Sequence, residues 1–181
     1  MPPPPGGYKE ELPMLENRPI KDIVIFDLDG TIADGRHRLH LLPKKDLHLT
    51  ESWSEFNRAC VGDEIFDGTL AVMNACYDAN LLVIILTGRS DEVREQTEHW
   101  LHVAGAKYHV LEMRKHDDNR KDTIIKEEYL RNVGLDRIAA CWDDSPNVIN
   151  HFRAMGLQVY QVCDYGNETR EDLKSHGVEK L

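Results

Sequence analysis

Apolar and β-branched residues are concentrated in short runs at 23–26 (IVIF), 81–86 (LLVIIL), 108–111 (YHVL), 138–142 (IAACW) and 157–162 (LQVYQV). Their length and near-continuous apolar character predict strands buried on both faces. Helical patterning fills the intervals at about 67–80, 90–104, 121–132 and 146–155. SDEVREQTEHWLHVAG offers Ser90 as an N-cap, early acids, and Gly105 as a stop. SPNVINHFRAMG offers Ser145, then Pro146 at the first helical position, and Gly156 at the end. Strands alternating with helices predict an α/β fold, a doubly wound, Rossmann-like parallel sheet with helices on both faces.

Residues 35–66 break this alternation. A connection between a strand and its following helix normally takes a few residues. This one carries His, Lys, Arg, Trp53 and Phe56, and it predicts a small, mainly helical cap over the carboxyl end of the sheet. The expected organisation is a flexible Pro-rich leader over 1–20, a core formed by 21–34 with 67–181, and the 35–66 insertion. Within the cap, His37, Arg38, His40, Lys44 and Lys45 form a basic cluster. It reads either as solvated surface or as a phosphodiester contact. Trp53 and Phe56 have helical spacing, which favours cap core over stacking on a base.

Composition narrows the function classes. No apolar run approaches a membrane span, and the start, MPPPPGGYKEELPMLENRP, has no apolar signal region. Cys60, Cys76, Cys141 and Cys163 show no C-x-x-C spacing, which argues against a zinc site and fits a reducing, cytoplasmic setting. A net charge of −10 argues against a duplex-wide nucleic-acid footprint, though not against a local basic pocket.

The polar residues that follow the strands carry the chemistry, because open parallel sheets bind ligands beyond their carboxyl ends. DLDGT follows the first strand, TGR the second and DDSPN the fourth, and NRKD opens the helix before that fourth strand. Several carboxylates on one rim need a counter-cation to stay ionised together. A hard oxygen donor set that shares a substrate phosphate suits Mg²⁺. Asp27, at the strand tip, is placed to attack phosphorus and form an aspartyl phosphate. Asp29 points the same way, to protonate the leaving oxygen and then activate water. Gly30 lets the chain turn, and the amides there, with the Thr87 hydroxyl and the Lys121 ammonium, are expected to hold phosphate oxygens. Asp144, with Asp143 beside it, would complete the metal site with Asp27 and Asp29. The phosphate-binding set expected in full is Gly30, Thr31, Thr87, Gly88, Arg89 and Lys121.

DLDGT, LTGR, RKD and CWDDSPN, in this order and spacing over about 21–165, resemble the four motifs of the haloacid dehalogenase (HAD) superfamily of phosphotransferases. The second Asp of D-x-D is similar to the phosphatases and phosphomutases of that superfamily. A narrower resemblance runs through LTGRS, VREQTEHWL, RKHDDNRKDTIIKEEYLRN and WDDSPNVINHFRAMGLQVYQV. These stretches look like the phosphatase domain of phage-type polynucleotide kinase–phosphatases. That resemblance implies Asp27 as nucleophile, Asp29 as acid/base, Arg89 as a substrate-phosphate or backbone contact, Lys121 as the phosphate lysine and Asp144 as metal ligand, with Asp143 as a supporting or alternate ligand. No G-x-x-x-x-G-K-[ST] occurs in this sequence, so it lacks the phosphate-binding motif of a kinase half.

Together these features predict a Mg²⁺-dependent phosphomonoesterase, with the 3′-phosphate of a nucleic-acid end or nucleotide as first substrate. A 5′-nucleotidase acting on (deoxy)nucleoside monophosphates is the alternative, favoured by the acidic balance and the sizeable cap. A non-catalytic HAD-like binding domain is disfavoured because the expected catalytic positions are filled.

Overall fold

A computed structural model describes residues 20–163. The leader, except for Ile20, and the chain beyond Cys163 lie outside the described residues. The strands are β1 Ile23–Phe26, β2 Ala33–Asp34, β3 Glu64–Ile65, β4 Leu82–Ser90, β5 Val110–Arg114, β6 Ile138–Asp143 and β7 Val159–Gln161. The helices are α1 Ser54–Arg58, α2 Asp67–Asp78, α3 Arg94–Val103, α4 Asp122–Val133 and α5 Pro146–Ala154.

Five strands form one sheet in the order β5-β4-β1-β6-β7, and every pairing is parallel. The apolar runs alternate between its two faces. Val24, Phe26, Val83 and Ile85 pack with Met73 of α2 and Trp100 and Leu101 of α3. Ile23, Ile25, Ile84 and Leu86 pack with Leu130 of α4 and Val148, Ile149 and Phe152 of α5. Each strand thus buries both faces, and for that reason reads as a continuous apolar run rather than an alternating one.

Register sets the level of the functional rim. Phe26 is paired with Ile85 on one side and with Trp142 on the other. The residues just beyond, Asp27, Thr87 and Asp143, therefore emerge near one edge, and the Asp27 amide donates to the Trp142 carbonyl at 2.9 Å.

The predicted second strand ends at Leu86, but β4 continues through Thr87, Gly88 and Arg89 to Ser90. Pairing with β5 persists through Thr87–Met113 and Ser90–Arg114, with a register shift between them. Ser90 then caps the following turn, its hydroxyl accepting from the Glu92 amide. At Ser145 the expected cap is replaced: its amide donates to the Asp143 carboxylate at 2.8 Å, and Pro146 opens α5.

The irregular segment leaves and re-enters through the antiparallel pair β2–β3, Ala33 against Ile65 and Asp34 against Glu64. Between them lie 3₁₀ segments at Arg36–Leu41, Thr50–Trp53 and Ala59–Gly62, with α1 between the second and third. Hydrogen bonds tie the segment to the core. Thr50 donates its amide to Asn119 and its hydroxyl to the Asp118 carbonyl, and the Trp100 indole donates to the Asp63 carbonyl.

Candidate active site

A cleft of about 130 Å³ opens where the sheet rim meets the inserted segment. Its core side includes Asp27, Asp29, Thr87, Arg89, Lys126, Asp143 and Asp144, and its other side is formed by Leu42, Trp53, Phe56 and Asn57 of the 35–66 segment.

Asp27 is buried at the tip of β1. Lys126 Nζ donates to Asp27 Oδ1 at 2.8 Å and to Asp143 Oδ2 at 3.0 Å, and lies 3.4 Å from Asp122 Oδ2. Burial pushes the Asp27 carboxyl well above the usual range; the Lys126 ammonium opposes this, and the charges of Asp143 and Asp144 add to it. Burial acts on Lys126 in the opposite sense, but Asp122, Asp143 and Asp27 hold its ammonium charged. Asp143 is also pushed up, mainly by burial.

Asp27, Asp143 and Asp144 each present a carboxylate oxygen within 4.8 Å of the others. A set of hard carboxylate oxygens fits a divalent cation such as Mg²⁺. Such a charge would offset the repulsion that keeps these acids from ionising together. Gly30 makes room for the Asp144 carboxylate. Its φ is +77°, and a Cβ there would lie 2.3 Å from Asp144 Oδ2.

Asp29 is placed differently from the expectation that it joins the metal group. Its carboxylate is gripped by two buried guanidinium groups, Arg38 and Arg89. Burial raises the Asp29 carboxyl, but Arg89 and then Arg38 outweigh it and hold the group well below the usual carboxylate range. Both arginines also share Asp63, with Arg38 Nε and Nη2 at 2.6 and 2.7 Å and Arg89 Nη2 at 3.0 Å. Arg38 further donates to the Phe56 carbonyl, and its guanidinium lies 4.0 Å from the Phe56 ring centroid. Arg89 lines the cleft, yet its hydrogen bonds run to Asp29, Asp63 and Thr97 rather than outward as a phosphate contact. Arg38, read from sequence as part of a basic cluster that is either solvated surface or a phosphodiester contact, is fully buried.

Two further expectations are corrected. Lys121 is exposed at the N-cap of α4 and is not part of the cleft wall. The lysine that reaches Asp27 is Lys126. Asp122, Lys126 and Leu130 recur every four residues and form the buried stripe of α4. Thr31 is fully buried and lies outside the cleft wall, its hydroxyl enclosed without a partner. Gly30 borders a smaller adjoining cavity with Asp144. Thr87 and Gly88 do line the cleft, and the Thr87 hydroxyl accepts from the Arg89 amide at 3.1 Å. Trp53 and Phe56 are buried against each other edge to face, and the same two residues line the cleft.

Lys126, Asp122, Arg38, Asp63 and Asn57 are the site residues that motif reading missed. Lys126 carried one available signal, an i+4 step from Asp122 on the stripe that ends in Leu130.

Comparison with known proteins is consistent with this geometry. The family model for the polynucleotide kinase PNKP phosphatase domain matches residues 21–167. No curated protein matches. Among solved structures, a chain in the "Structure of the Pnkp1/Rnl/Hen1 RNA repair complex" is 28% identical, with a TM-score of 0.63 over 82% of this chain and 44% of that one. A chain in a second Pnkp1/Rnl/Hen1 complex is also 28% identical, with a TM-score of 0.62 over 79% and 46%. A putative phosphatase from Clostridium difficile shares the fold at 12% identity, with a TM-score of 0.59 over 80% and 86%. This chain spans under half the length of the two 28%-identical chains. Among the described residues no helix is long and apolar enough to cross a membrane.

Proposed function

Because this chain belongs to the PNKP phosphatase-domain family and is a HAD-type phosphatase, we propose that it is a Mg²⁺-dependent 3′-phosphatase acting on a nucleic-acid or nucleotide 3′ end. The observation that carries this reading is the convergence of Asp27, Lys126, Thr87 and the Asp143–Asp144 pair in one cleft.

In this reading an Asp27 oxygen attacks phosphorus, and the bond to the 3′-oxygen breaks. Lys126 orients the nucleophile and, with the Thr87 hydroxyl, holds the phosphoryl oxygens where charge develops. The departing oxygen takes a proton from water, because the arginine pair holds Asp29 ionised and without a proton to give. In the second half, Asp29 takes a proton from the water that attacks the aspartyl phosphate, freeing Asp27 and inorganic phosphate. The arginine pair favours the ionised Asp29 that this second half requires. Asp27, Asp143 and Asp144 would hold Mg²⁺, which supplies positive charge against the phosphoryl oxygens and the acids.

The cleft is small beside the roughly 300–1,000 Å³ of sites that enclose a whole ligand. That size supports a terminal phosphate entering with the rest of the substrate outside. The Pnkp1/Rnl/Hen1 neighbours, described as an RNA repair complex, point to the same class of substrate.

The test is a comparison of 3′-phosphorylated oligonucleotide, free 3′-nucleotides and free 5′-nucleotides under one set of conditions. The 3′-phosphates are expected to give the highest kcat/KM. A tenfold preference for 5′-nucleotides, about 1.4 kcal/mol of transition-state discrimination, would overturn the assignment.

A further inference from the structure

The basic cluster expected in the 35–66 segment is divided by the structure. Arg38 is buried against Asp29 and Asp63. The His37 ring bonds to Asp63 at 3.0 Å, and Arg36 pairs with Asp34. Lys44 and Lys45 are exposed, and among the described residues neither has a hydrogen bond or an ion pair. Other exposed cations are committed to carboxylates: Arg120 to Asp118 and Glu128, Lys115 to Asp91, and Lys107 to Asp78. In a chain of net charge −10, two adjacent ammonium groups thus remain available to an outside anion.

Their position in the chain puts them at the mouth of the cleft. Leu42, two residues before Lys44, lines the cleft. Leu47, two residues after Lys45, is tied to another residue of that wall, its carbonyl accepting from the Trp53 indole at 3.1 Å. Residues 43–46 therefore arch between two anchors. Two residues of chain span at most about 7 Å, so the backbone of each lysine lies within that distance of Leu42 or Leu47.

In the reading above, Lys126 and Thr87 take the terminal phosphate. A free 3′-nucleotide carries no other phosphate, whereas a strand end carries a phosphodiester on the 5′ side of its last nucleoside. That group falls outside a cleft of about 130 Å³, where an exposed ammonium can meet it without being desolvated. We propose that Lys44 and Lys45 bind the phosphodiester backbone next to the scissile 3′-phosphate, which makes a strand end, rather than a free nucleotide, the preferred substrate. Pro43 and Asp46 bracket the pair, so the positive stretch suits one or two phosphodiesters and not a duplex-wide track. This inference rests on the phosphatase reading and names the substrate class of that site.

The experiment compares wild type with the Lys44→Ala/Lys45→Ala double variant on a 3′-phosphorylated oligonucleotide and a free 3′-nucleotide. Anisotropy of a fluorescent 3′-hydroxyl oligonucleotide across a salt series reads binding apart from catalysis. Both side chains are exposed, so the double variant is expected to melt with wild type. At low salt its KM for the oligonucleotide should rise about tenfold while kcat stays within about twofold, and the nucleotide KM should change less than about twofold. The slope of log affinity against log salt should become shallower by about 1.4, about 0.7 for each lost phosphate contact. Lys21→Glu, just before β1 at the opposite end of the sheet, changes the net charge by the same amount and should leave the oligonucleotide KM unchanged. An unchanged oligonucleotide KM in the double variant, an equal rise on both substrates, or an equal effect of Lys21→Glu would overturn the inference. So would a wild type that prefers the free nucleotide, with the phosphatase reading left intact. A wild type inactive on every phosphate ester, whose oligonucleotide binding still falls in the double variant, would overturn the phosphatase reading and support the lysine pair as a strand-binding site.

Discussion

Lys126 Nζ stands 2.8 Å from Asp27 Oδ1, although the two residues lie 99 positions apart. The pair joins the tip of the central strand to the buried stripe of α4. In the proposed reaction a cation in this position would restrain the attacking carboxylate and face the charge that builds on phosphorus. Replacing Lys126 with Ala or Met is therefore expected to lower kcat on an aryl phosphate by about 10²–10³, the range for losing one transition-state donor. Lys121→Ala, at the exposed N-cap, should leave kcat within about twofold. A steady-state assay of both variants decides which lysine serves the site, and a dead Lys121→Ala beside an active Lys126→Ala would reverse the assignment.

Gly30 permits the next prediction. A methyl group there would meet Asp144 Oδ2 at 2.3 Å on a backbone already at φ +77°. Gly30→Ala should displace that carboxylate and add strain of order 1 kcal/mol. The Mg²⁺ concentration for half-maximal activity is expected to rise at least tenfold, read from a metal titration of the EDTA-treated enzyme. Gly68→Ala is the control. It sits in α2 with nothing within 4 Å of the added carbon, and it should leave the metal response unchanged.

These two cases show what the sequence could and could not disclose. Strand and helix positions were legible because both faces of the sheet are covered, which makes each strand an apolar run. The rim acids Asp27 and Asp143–Asp144 were legible because each directly follows such a run. The R-K-D context points to Lys121, whereas the helical period of the buried stripe selects Lys126. Arg38 was hidden for another reason. Its carboxylate partners, Asp29 and Asp63, are 9 and 25 residues away, and nothing local distinguishes it from the exposed basic residues around it. Buried ion pairs between distant segments have no periodic signature.

Asp63 gives a stability prediction. It closes the two-arginine cluster from the position just before β3, linking Arg38 of the inserted segment to Arg89 of β4. Its side chain is fully buried. Removing one member of a buried ionic group leaves the others short of charge and hydrogen bonds, typically a loss of 3–5 kcal/mol. Asp63→Ala is expected to lose about that much in urea unfolding. A loss below about 1 kcal/mol would mean that Arg38 and Arg89 find other partners.

Asp29 gives the pH dependence. Arg89 and Arg38 depress its folded pKa below the unfolded value of about 3.9. Its stabilising contribution is thus fully present above that value, and it is lost as the pH falls through it toward the folded pKa. Asp27 and Asp143 shift the other way and favour the folded state as acid protonates them, so the total profile mixes both effects. The difference between wild type and Asp29→Asn isolates the one carboxylate. That difference in unfolding free energy, measured without metal, should be largest near pH 6 and should shrink by pH 3. A difference that stays constant across this range would show that the arginines hold Asp29 by shape and hydrogen bonding alone, without the charge that the proposed base role requires.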